Sequence, residues 1–306
     1  MSQGFAVHNA RVLASFATIL VVWGLNYPFI QAGLSYSPPV WLASLRALTG
    51  LLTSLAILLV LRTQGQIDLR QKIAAFLIGI PGIGFFFVGF WTIGETVLPA
   101  GEASVLIYTF PIWTLILSLP VLGDRPTPLK VGAALLGFAG VAFVARVGTT
   151  SPTGDLVAIT LLIVTGFAFA SDSVLFKRLF KGDQLLRANV WQLAGGSAFL
   201  IAWASLAEPV SAIHWTLALA GAIFWIGVLG TATVFVLWFT LLSRYNAASL
   251  TAYTFLVVVV ALVGSFFILG QTIDEIQLVG VLALIVSIYL TSSVEKHSTR
   301  PCAQES

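Results

Sequence analysis

Ten runs of about twenty apolar residues leave this chain little choice of fold. They cover approximately 12–33, 39–61, 73–94, 100–122, 129–146, 155–176, 188–207, 215–242, 247–269 and 276–293. A helix needs ~20 such residues to cross the hydrocarbon of a bilayer, where only the helix itself satisfies backbone N–H and C=O groups. Charged residues make up 9% of the 306, against about 25% in soluble domains. A soluble globular protein is thereby excluded, and the expected class is an all-α integral membrane protein with ten transmembrane helices. The eighth run is long, so it is expected to tilt or to leave the membrane at its ends.

A net charge of +3 does not point to a nucleic-acid partner, because the basic residues are sorted by side. With the N-terminus in the cytoplasm, thirteen of the fifteen fall in inner loops and tails, only Arg146 falls outside, and Arg46 lies within a run. The positive-inside rule predicts that distribution for a multi-pass membrane protein with both termini cytoplasmic. Asn26-Tyr27-Pro28 interrupts the first run and no small-residue cleavage site follows it, which reads as a retained helix rather than a signal peptide. The single cysteine, Cys302, allows no intramolecular disulfide or thiolate cluster. His8, His214 and His297 fall in tails and a loop end. No Gly-rich phosphate loop precedes a Lys-Ser/Thr pair. Neither an enzyme nor a cofactor or metal site is expected.

A repeat divides the chain. Residues 103–110, Ala-Ser-Val-Leu-Ile-Tyr-Thr-Phe, return at 248–255 as Ala-Ser-Leu-Thr-Ala-Tyr-Thr-Phe, five of eight positions identical at an offset of 145. Because each copy holds an odd number of runs, the copies lie inverted in the bilayer, an architecture used by many secondary transporters. The expected organisation is a five-helix repeat over 1–148, an outer linker at 149–153, an inverted five-helix repeat over 154–296 and a cytoplasmic tail at 297–306. Extending the offset pairs Asn26 with Asp172 and Arg46 with Gln192. Pro28, Pro81, Pro111 and Pro120 lie inside first-half runs alone, so helices 1, 3 and 4 are expected to bend.

Ionisable groups at membrane depth are costly and face a cavity or a partner. Three are identified: Arg46, Glu102 and Asp172. Arg46 either holds a carboxylate, of a substrate or a structural partner, or snorkels to the outer surface. Glu102 reads equally as a rim residue. Asp172, just before Lys177 and Arg178, reads first as half of an interfacial ion pair. Trp23, Trp91, Tyr27, Tyr108 and Tyr253 are deep aromatics that either line a π-rich cavity or pack in the core. The repeat makes Tyr108 and Tyr253 equivalent.

Trp23-Gly24-Leu25-Asn26 in helix 1, an Arg in helix 2 after Pro38-Pro39, and Ala103-Ser104 with Tyr108-Thr109-Phe110-Pro111-Ile112-Trp113 in helix 4 resemble the EamA-type drug/metabolite transporters over nearly the whole chain. Within them the likeness is to the YddG-type exporters of aromatic and other neutral amino acids. The resemblance implies a basket in which helices 1–4 and 6–9 surround a cavity, with helices 5 and 10 peripheral. It makes Trp23, Asn26, Tyr27, Arg46, Trp91, Tyr108, Thr251 and Tyr253 candidates for a substrate-binding wall. The expected activity is export of hydrophobic or aromatic amino acids by alternating access; the alternatives are efflux of other small amphipathic metabolites or drugs, and a non-transporting receptor or scaffold. The implied partners are a small-molecule substrate and membrane lipid, and a monomer is compatible with them.

Overall fold

The apolar runs fold as helices in a computed structural model, which describes residues 10–61, 65–123, 127–144, 153–272 and 274–298. They are α1 (Ala10–Leu34), α2 (Pro39–Leu61), α3 (Leu69–Gly94), α4 (Ala100–Leu122), α5 (Pro128–Val144), α6 (Thr153–Leu179), α7 (Gln184–Ala207), α8 (Leu217–Arg244), α9, which starts at Ala247 and ends with the stretch Leu256–Leu269, and α10 (Glu275–Ser298). Eight are long and apolar enough to cross a membrane, while the apolar parts of α5 and α10, Val131–Gly140 and Glu275–Ser287, are shorter among the described residues. Large apolar side chains such as Leu59, Val60, Leu206, Leu217 and Phe267 face outward, as a lipid-bathed surface requires. Arg62, Arg125, Arg146 and Arg300, the linker before Thr153 and the last eight residues lie outside the described residues.

The helix ends carry their own punctuation. Asp68 accepts from the Gln71 backbone at 2.7 Å while Gln71 returns the bond at 3.0 Å, a reciprocal cap that starts α3. Asp274 and Gln277 repeat it at the start of α10, at 2.8 and 3.1 Å. Gly123 (φ 74°) and Gly270 (φ 67°) end α4 and α9 in the left-handed conformation that only glycine adopts freely.

The irregularities inside the helices are also duplicated. Ile80–Gly89 in α3 and Phe224–Thr233 in α8 are both widened into π-helical turns. Helix α4 breaks at Tyr108-Thr109, and α9 tightens into a 3-10 turn at Tyr253–Phe255. Prolines do not explain this pattern. Pro81 and Pro111 sit at the first-half distortions, yet their second-half counterparts have none, and α1 continues through Pro28. In α8 threonines take over the displaced carbonyls: Thr231 Oγ1 donates to Ile226 O at 2.8 Å and Thr233 Oγ1 to Val228 O at 3.0 Å. In α3 Phe86 O accepts from Thr165 of α6 at 3.0 Å.

The principal helix contacts close a ring in the order α1, α9, α4, α6, α3, α7, α2, α8 and back to α1. Helices of the first and second halves alternate at every step. Helices α5 and α10 pack on each other beside α4 and α9, where Ser287 Oγ donates to Ala133 O at 2.6 Å.

Candidate functional site

The centre of the ring is aromatic. Trp23, Tyr27, Phe87, Trp91, Ile107, Tyr108, Phe110 and Phe169 line a chamber that retains about 10 Å³ of space for water, about enough for one molecule. Small-molecule sites run to ~300 Å³ and above, so the rings themselves fill this one. Phe87 stacks on Phe169 (4.8 Å, 21°), Tyr27 packs on Trp91 at 4.8 Å, and Phe110 stands edge-on to Phe169.

Two opposite charges adjoin the chamber. The side chain of Arg46 on α2 is 1% exposed, with its guanidinium 4.3 Å from the Trp91 ring centre. Its Nε donates to Thr231 Oγ1 at 3.1 Å, but both terminal nitrogens lack a hydrogen-bond partner. Glu95, 2% exposed, lies one turn beyond Trp91 and accepts from Trp91 Nε1 through Oε1, while Oε2 accepts nothing. No hydrogen bond joins the guanidinium and the carboxyl group. The Tyr27 hydroxyl is also unmet. Unused donors and an unused acceptor thus converge around one indole, an arrangement costly enough to need an occupant.

The widened turn of α8 holds this side of the chamber in place. Gly230 O accepts from Trp23 Nε1 at 3.2 Å and from Asn26 Nδ2 at 3.4 Å, next to the Thr231 that orients Arg46. Asn26 therefore anchors α1 on α8 and does not line the chamber.

Of the eight candidates, Trp23, Tyr27, Trp91 and Tyr108 share the lining and Arg46 abuts it. Thr251 and Tyr253 are not in the lining; Tyr253 meets Phe16 edge-on at 6.1 Å. Glu102 lies in a separate cleft of about 360 Å³ with Pro99, Gln271 and Gln277. Asp172 bonds Gln192 of α7, the repeat counterpart of Arg46, and its other oxygen has no partner, while Lys177 donates to Tyr245 O, so among the described residues Asp172 is tied to an amide and not to Lys177. Glu95 is the residue that sequence reading missed. Its charge ends an apolar run and so resembles a loop residue, yet the α-turn continues, with Glu95 N bonded to Trp91 O at 3.1 Å. The spacing Trp91 to Glu95, one helical turn on one face, was the available signal.

Polar ties close the bundle at both ends. Where α1 turns into α2, Glu208 accepts from Val40 N and Trp41 N, and Gln31 Oε1 receives Ala100 N at 3.0 Å and Gln271 Nε2 at 2.8 Å. At the other end Gln184 Nε2 donates to Gln66 O at 3.0 Å.

A model of the EamA-like transporter family matches residues 12–146 and again 156–293. Transporter YvbV of Bacillus subtilis (strain 168) is 30% identical over 290 residues, 94% of this chain and 93% of that one. A "probable terminal-alkyne amino-acid exporter" of Streptantibioticus cattleyicolor is 29% identical, over 89% of this chain and 90% of its own. A "probable amino-acid metabolite efflux pump" of Salmonella typhimurium (strain LT2) is 24% identical, over 89% and 91%. One crystal structure superposes with a TM-score of 0.75 at 15% identity, over 95% of this chain and all of that one, a likeness of fold alone.

Proposed function

The chain belongs to the EamA-like transporter family, and we propose that it exports neutral, hydrophobic or aromatic amino acids by alternating access. Membership makes it a multi-pass transporter of the inner membrane and not an enzyme. In the proposed arrangement ten helices span the membrane as five-helix repeats over 1–148 and 154–296, with both termini cytoplasmic. A reporter fused after Ser306 that works only in the cytoplasm is expected to be active; silence there, with labelling of 149–153 from inside, overturns the orientation.

The observation that carries the substrate is the pair of unmet charges at the edge of an aromatic chamber. A zwitterion presents a carboxylate to the free Arg46 nitrogens and an ammonium to Glu95 Oε2, and its side chain enters the rings once the bundle opens. A lipophilic cation leaves Arg46 unmet, which disfavours general drug efflux. The names of two relatives as amino-acid exporters agree with this reading.

Proteoliposomes loaded with labelled phenylalanine test it. Phenylalanine and tryptophan should compete; phenethylamine and phenylpropionate, each lacking one charge, should not. Transport of a lipophilic cation with no amino-acid flux overturns the reading. Glu95→Gln keeps an acceptor for Trp91 Nε1 but loses the charge, so the half-saturation concentration should rise ~10-fold or more, as for a lost charged hydrogen bond.

Tyr108 and Tyr253 separate what symmetry equates. Tyr108→Ala should weaken aromatic substrates by roughly 3- to 10-fold, the worth of a ring–ring contact, and small neutral amino acids less. Tyr253→Ala should leave that preference unchanged. Equal shifts in both variants would mean that the path runs past α9.

A further inference from the structure

A second buried carboxylate lies on the other side of the aromatic chamber. Asp172 follows Phe169 by about one turn of α6 and is 5% exposed. Its Oδ1 accepts from Gln192 Nε2 on α7 and lies over Gly82 in the π-helical turn of α3, while Oδ2 has no partner. Against Asp172 itself α3 presents Gly82 and α7 Gln192, while one turn to either side on α6 Phe169 meets Phe110 of α4 and Phe235 of α8, and Phe176 meets Phe239 of α8. None of these is charged. The basic residues further along α6, Lys177 and Arg178, lie five and six positions on, and Lys177 is turned to the Tyr245 carbonyl.

An ionised carboxylate buried with one amide donor and one unpartnered oxygen is strongly unfavourable. A neutral carboxyl in the same place needs only the bond it already has. Asp172 is so enclosed in a closed bundle whose rings leave the chamber no room for a substrate, and a carrier has to pass through such a form to return after releasing its load. We propose that Asp172 binds one proton in this closed, empty carrier, so that the return step moves a proton inward. The proton comes from water on the outer side, forms the O–H bond at Oδ2, and leaves to inner water when the Asp172 end opens. The inward direction of the proton and the flux arm of the test rest on the export reading; the protonation of Asp172 does not.

Infrared spectra of the purified protein at neutral pH should contain a carboxylic-acid C=O band that Asp172→Asn removes; identical spectra overturn the proposal whatever is transported. In proteoliposomes, net phenylalanine efflux by the parent should slow as outer pH rises, approaching about tenfold per pH unit once the carboxyl ionises. Phenylalanine–phenylalanine exchange bypasses the empty return and should not slow. Asp172→Asn, neutral at every pH, should keep exchange and make net efflux insensitive to outer pH. Parent efflux that ignores the gradient, or an asparagine variant that still follows it, overturns the proposal. A parent that carries no amino acid refutes the export reading, and the infrared comparison still decides this one.

Discussion

Arg46→Ala is expected to abolish amino-acid flux, by ~100-fold or more, since removing one member of a buried charge pair costs about 3–5 kcal/mol. Three contacts disappear together: the bond to Thr231, the face of Trp91 and the charge opposite Glu95. Arg46→Lys should recover little, because an ammonium cannot bond Thr231 and offer a fork of two nitrogens to a carboxylate at once. Folding is separated from binding by Arg46→Met with Glu95→Gln, which removes both charges. That double variant should run as a folded monodisperse species in detergent yet carry no phenylalanine. Parental flux in the alanine variant would make Arg46 a packing residue with no part in binding.

The second large effect is expected at the crossing of α3 and α7. A Cβ on Gly79 would fall on the backbone carbonyl of Gln192, and one on Gly195 on that of Phe76. Small residues here let two helices meet backbone to backbone, the usual source of close packing in lipid. Gly79→Ala must push α7 away and disturb the Gln192 that holds Asp172, at a cost of about 3 kcal/mol by the measure of overpacked cores. The thermal unfolding midpoint in detergent should drop by several degrees. Gly132→Ala in α5, where a Cβ meets nothing within 4 Å, is the control and should not move it. A Gly79→Ala midpoint equal to the parent's would show that the crossing has slack.

What a sequence makes legible here is set by length scale. Helices of membrane length announce themselves because lipid imposes one rule on every residue of the run. The duplication was legible at the Tyr-Thr-Phe of 108–110 and 253–255, where the chain still agrees with itself. Equivalence of position does not carry equivalence of surroundings, because the halves share a backbone and not a set of side chains. By the register of the π-helical turns, Trp91 corresponds to Phe235 and Glu95 to Phe239; by the helix 1 and 2 pairings, Tyr27 corresponds to Ser173 and Arg46 to Gln192. The charge pair exists once, so the chamber lies toward Tyr108 and leaves Tyr253 against Phe16. The widened turns were not legible from proline, because α8 reaches with glycine and threonine the geometry that α3 has around Pro81.

The alternating ring has a consequence for how the molecule is made. When synthesis reaches residue 148, none of the neighbours that flank α1 to α4 in the ring has yet been produced. The first half must wait in the bilayer for the second, roughly 8–30 s at ribosomal speeds of ~5–20 residues per second, with its glycine-lined faces and Arg46 lacking their companions. Each later helix then has to slot between two that are already inserted. Truncation anywhere before α9 leaves an open circle, and such fragments should fall to membrane quality control as nascent products rather than persist as half-carriers.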